Sequence, residues 1–181
     1  MFIDHTLFEC FMAKNTFLIR ASVNAGKAGT FAQTEIDLGS YTNLGSSKPE
    51  VLRIHNIHTI LSNSAGEIPK MTNDVAGNAA WQLTTQSQSA LVLMTDDSFV
   101  SGGTGAFRNP DSAEEPPSQV LVETLLAQDL EAGSVIAVPT LYLGGYAGSE
   151  WTQDVFFSVM LECSTEAMSK ANAVSLAISQ Q

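Results

Sequence analysis

Apolar and polar positions alternate with a period of two along most of this chain. The pattern is cleanest near its end. Val155, Phe157, Val159, Leu161 and Cys163 fall on one side of an extended segment, with Asp154, Ser158 and Glu162 on the other. Such alternation marks a half-buried β-strand. The period then changes. Ala167, Ala171, Val174 and Ile178 recur at intervals of four, three and four, which is one face of a helix. Upstream, the pattern predicts strands over residues 16–24, 30–38 and 51–63, the last rich in Ile, Leu and Val. A further strand is expected over 81–94, with Leu83, Thr85, Ser87, Ser89, Leu91 and Leu93 on one face. The small hydroxylic middle of that face suits a sheet edge or a surface against a partner. Residues 119–129 fit either a short helix or a strand, and the strand reading, over 119–124 with a turn after it, is preferred. Residues 134–142 form a β-branched run broken by Pro139, which cannot donate to a ladder and so implies an edge or a bulge.

Between these runs lie loops expected from composition at 25–29, 39–49, 64–80, 95–118, 130–133 and 144–150. About eight strands with little helix before the end predict an all-β, antiparallel sandwich. No βαβ alternation supports a doubly wound sheet. Three parts follow: an apolar arm at 1–14, a sandwich at 15–163 and an amphipathic helix at 164–181. In the arm, Phe2, Ile3, Leu7, Phe8, Phe11 and Met12 either dock on a neighbouring subunit or close this subunit's own core.

Composition adds limits. The 181 residues suffice for one domain with a real core. Nineteen acidic against eight basic residues give a formal charge of -11, through scarcity of Lys and Arg, so direct binding of nucleic acid is disfavoured. No apolar run approaches the ~20 residues of a membrane-spanning helix, and the N-terminus lacks the basic and small-residue features of a signal peptide. Cys10 and Cys163, the two cysteines, have no metal-site spacing and read as buried free thiols.

Candidate chemistry is sparse. His55 and His58, three apart in a strand, are expected on opposite faces, where they cannot share a metal. The glycine-rich Ser101–Gly105 stretch lacks the lysine of a phosphate-binding loop. Asp96, Asp97, Asp111, Glu114 and Glu115 are calcium candidates without an EF-hand register. No G-x-S-x-G, HExxH or CxxC occurs. Neither an enzyme nor a cofactor is expected.

The closing block, a strand ending in Leu161, Glu162 and Cys163 followed by an Ala/Ser-rich helix, together with the preceding residues 131–145, resembles the ends of small viral capsid proteins of the single jelly-roll type, such as those of archaeal and environmental viruses. The resemblance implies a jelly roll and a structural virion protein that self-assembles, in many copies and with other virion proteins as further partners, into an icosahedral shell. It departs from many such proteins in having only Lys14 in its N-terminal arm. It makes Ala167, Ala171, Val174 and Ile178 a candidate subunit interface. The alternative is a β-sandwich binding module of a phage fibre or spike, taking a glycan or receptor through residues 95–118.

Overall fold

The computed structural model describes residues 15–181, and the arm at 1–14 lies outside them. Among the described residues there are nine strands: β1 (Phe17–Gly26), β2 (Phe31–Asp37), β3 (Glu50–Ser62), β4 (Val75–Thr84), β5 (Phe99–Asn109), β6 (Gln119–Leu125), β7 (Ser134–Ile136), β8 (Thr140–Ala147) and β9 (Val155–Ala167). A 3-10 turn at Ala127–Asp129 and the helix α1 (Lys170–Ser179) complete the order. The strands form two antiparallel sheets, β1-β9-β3-β7 and β2-β8-β4-β5-β6.

With β6 set aside, the pairing is nested: β1 with β9, β2 with β8, β3 with β7 and β4 with β5. That is one long hairpin rolled on itself, the arrangement of a jelly roll. The core lies between the sheets, where Leu52, Ile54, Ile57, Leu83, Leu141, Leu143, Val155 and Leu161 are buried. β9 is central, flanked by β1 and β3, and its odd-numbered residues from Val155 to Cys163 face this core.

Four local expectations change. The predicted strand over 81–94 ends at Thr84, and β4 begins instead at Val75, inside an expected loop. Residues 85–98 fold back over the sheet because the buried Gln82 side chain accepts from the Val92 N–H and donates to the Ala90 carbonyl. The expected loop at 95–118 contains β5, a strand between β4 and β6. Its glycines serve packing: a Cβ on Gly105 would lie 2.6 Å from the Phe107 ring, and one on Gly103 would lie 2.7 Å from Trp81 Nε1. The run over 134–142 divides at Pro139 into β7 and β8, which belong to different sheets. The expected glycine loop at 144–150 begins inside β8.

β9 continues to Ala167, so the helix starts later than the sequence period suggests. The Ser169 hydroxyl caps α1 by accepting from the Asn172 N–H at 3.3 Å. Ala173 and Ala177 bury against Val51 and Ala137, with Leu176 packed beside them. The Gln180 side chain accepts from the Ala137 N–H and donates to the Val135 carbonyl. The helix thereby satisfies backbone groups beside β7, a strand of only three residues.

Candidate assembly surfaces

β3 decides which groups meet on the outer face of its sheet. Leu52, Ile54, Ile57, Thr59 and Leu61 point inward, so the spacing of two becomes three between Ile54 and Ile57. A bulge at His55 produces the shift. It turns both His55 and Asn56 outward. His55 Nε2 lies 2.8 Å from the Ser164 hydroxyl, and Asn56 donates to Glu162 at 2.5 Å. His58, opposite Met160, shares that face, so the expectation of opposite faces fails because strand parity breaks at the bulge. The Asn56 hydrogen bond holds the Glu162 carboxyl below its ordinary value, and the fields of His55 and His58 add to the effect. Beside them Arg53 makes a two-point contact with Glu166 at 2.8 Å and also donates to the Ala132 carbonyl.

Among the described residues no three His, Cys, Asp or Glu side chains are placed to hold a metal. The calcium candidates divide between the two ends of β5. Asp96 precedes it, accepting from the Ser98 N–H and hydroxyl, which lowers its pKa. Asp97 adjoins it, while Asp111, Glu114 and Glu115 follow the strand. Eleven residues of strand separate the groups by roughly 33 Å. Cys163 is fully buried, and burial pushes its thiol up to about 12. Among the described residues no helix is long and apolar enough to cross a membrane.

Exposed apolar side chains supply the positive evidence. Large contiguous patches of this kind mark interaction sites. On β6, Val120, Leu121 and Val122 are 55%, 64% and 52% exposed. Among the described residues β6 is the edge of its sheet and pairs only with β5, which leaves its outer row of backbone groups open to a further strand. Leu91, Leu93 and Met94 are exposed beside it, and with Phe99, Thr104 and Glu123 they line a groove of about 400 Å³. A second surface is the outer face of the β1-β9-β3 sheet, where Leu18 and Ile60 are exposed and Met160 lies beside Ile60. The third is α1. Its Ala171, Val174 and Ile178 face away from the sandwich, with Ile178 66% exposed, and Ala167 is exposed at the end of β9. The residues that hold the helix down, Ala173 and Ala177, fall outside the period read from the sequence. The period read from the sequence follows the bulkier Val174 and Ile178, which are exposed.

No family model matches this chain, and no curated protein matches it. Among solved structures it is similar to the human polyomavirus 12 VP1 in complex with 3'-sialyllactosamine, at 8% identity and a TM-score of 0.47, over 85% of this chain and 99% of that one. It is similar to the Merkel cell polyomavirus virus-like particle at 6% identity and a TM-score of 0.46, over 87% and 76%. New Jersey polyomavirus VP1 aligns at 7% identity and a TM-score of 0.44, over 85% and 99%. The assignment of a jelly roll rests on the strand pairing given above.

Proposed function

We propose that this protein is a structural virion protein whose copies assemble into a closed capsid shell. One observation carries the reading: a jelly-roll wedge leaves a seven-residue apolar strand, β6, open at a sheet edge. A chain acting alone gains from covering such an edge or charging it, because open apolar edges template association. Here Glu123 is the only charge on β6. Burying each exposed Val or Leu against a neighbour stabilises the contact by roughly 1.5–3 kcal/mol before ordering costs. Symmetric repetition multiplies modest contacts of that size into a shell.

The formal charge of -11 shapes this function. It opposes close approach of copies at low ionic strength and disfavours direct contact with a nucleic-acid genome. The exposed face of α1, with Ala167, Ala171, Val174 and Ile178, is a further contact surface in this reading. Electron microscopy of the purified full chain is the test. Closed particles of uniform size support a shell. A compact trimer or a monomer at high concentration overturns it and favours a binding module of a fibre or spike.

A further inference from the structure

The two sheets differ in width. β7 pairs with β3 only at Leu52, Arg53 and Ile54, and β3 then runs on to Ser62. Among the described residues no strand pairs with that stretch on the side away from β9. At its start Gln128 takes the place of a strand residue, accepting from the Ile57 N–H at 2.8 Å and donating to the Ile57 carbonyl at 2.9 Å. The facing sheet extends further, through β5 and β6. Between the two lies a cavity of about 200 Å³. Thr59, Leu61 and Phe157 line one wall of it, and Trp81, Phe107 and Val122 line the other.

Two glycines shape the second wall. Gly103 stands between Trp81 and Thr124 in one row across β4, β5 and β6. A Cβ there would lie 2.7 Å from Trp81 Nε1 and 2.9 Å from Thr124 Cγ2, so the indole lies across β5 with its N–H turned towards β6. The Phe107 ring lies over Gly105 in the same way. Trp81 is only 5% exposed. A buried indole N–H ordinarily holds an acceptor, and that of Trp151 donates to the Asn78 carbonyl at 3.1 Å. The Trp81 N–H has no such partner among the described residues. Nor is it sealed in: among those residues no fully enclosed side-chain nitrogen or oxygen lacks a partner, so this donor borders open space, and the cavity is the space beside it.

The surroundings of that donor define what it can meet. Phe107, Phe157, Leu61 and Val122 present apolar surface, Thr59 and Thr124 add neutral hydroxyls, and no charged side chain lines the cavity. An ionised ligand would lose its hydration there with nothing to replace it. Size sets a second limit. A cavity of ~150 Å³ holds benzene, so about 200 Å³ admits one such ring with a short substituent. We propose that this cavity binds a small, uncharged, single-ring molecule whose hydrogen-bond acceptor, such as a carbonyl oxygen, meets the Trp81 N–H. The ring takes up the apolar walls, and the acceptor supplies the partner that the indole lacks. This site does not rest on assembly into a shell.

Equilibrium dialysis of the full chain against acetophenone and isopropylbenzene tests the site, because the two probes share a shape and only the first carries an acceptor. Acetophenone is expected to bind once per chain, about three- to tenfold tighter than isopropylbenzene, as one net hydrogen bond implies. Trp81→Phe keeps a ring and removes the donor, so it should erase the preference between the two probes. Val122→Trp, at a half-exposed position on the cavity's rim, should fill the space and abolish uptake of both, with circular dichroism and the urea midpoint reporting an intact fold. Absence of saturable acetophenone uptake by the native chain overturns the proposal, and so does equal affinity for the two probes. A preference that survives Trp81→Phe, or uptake that survives Val122→Trp in a folded chain, also overturns it. Dialysis reads assembled and separate chains alike, so failure here leaves the shell untouched, and a missing shell leaves this site untouched.

Discussion

Gln128 offers a sharp test of the edge geometry, because its side chain pairs with the Ile57 backbone on the side of β3 beyond the end of β7. Gln128→Ala removes two hydrogen bonds, of 2.8 and 2.9 Å, from the backbone of a fully buried residue. A net worth of about 0.5–1.5 kcal/mol each gives a loss of ~1–3 kcal/mol. Gln128 itself is exposed, so water reaches the vacated position and the lower half of that range applies. With a urea dependence of roughly 2 kcal/mol/M, the unfolding midpoint falls by about 0.5–1 M. Gln128→Glu is the informative companion. Its carboxylate still accepts from the Ile57 N–H but cannot donate to the carbonyl, so it recovers none of the second bond. The measurement is urea unfolding with hydrogen exchange at Ile57. An unchanged midpoint together with unchanged Ile57 exchange in Gln128→Ala would refute the claim that this side chain closes the edge.

Gly105→Ala places a Cβ 2.6 Å from the Phe107 ring and is expected to destabilise by ~1–3 kcal/mol, read as a lowered melting temperature. The raised Cys163 pKa stabilises the fold fully below the unfolded value near 9; that contribution fades by about 1.4 kcal/mol per pH unit from there towards 12, and Cys163→Ala removes this share of the alkaline loss in urea titrations at successive pH values. The native Cys163 thiol should also resist alkylation at pH 8, whereas urea exposes it. Because each copy carries a formal charge of -11, sedimentation at 10 mM salt should show less association than at 150 mM.

How much was readable in the sequence follows from what each element packs against. β1, β2, β3 and β9 each bury one face and expose the other, so their period of two survived in the residue pattern. β5 was hidden because its inner positions are glycines that make room for the Phe107 ring and Trp81, and glycine reads as loop. The false continuation of β4 past Thr84 arose because Leu91 and Leu93 keep the alternation while standing exposed over a groove. The bulge at His55 left no residue signature, and so the facing of the two histidines was misread. The helix was legible as an element, but its own contact is made by Ala173 and Ala177, while the bulkier Val174 and Ile178, which set the period in the sequence, stand exposed. The open edge of β3 belongs to topology: it exists because β7 stops after three residues, and only the pairing of remote segments reveals that.

The central claim is that exposed apolar β6 holds copies together, and one comparison addresses it most directly. Leu121 points away from the core and is exposed, so Leu121→Asp costs the isolated fold little while placing a charge in the proposed contact. Sedimentation velocity of the two proteins at equal concentration reads the outcome. Large, uniform species are expected for the native chain and a much smaller, folded species for Leu121→Asp. Identical distributions for the two would contradict it.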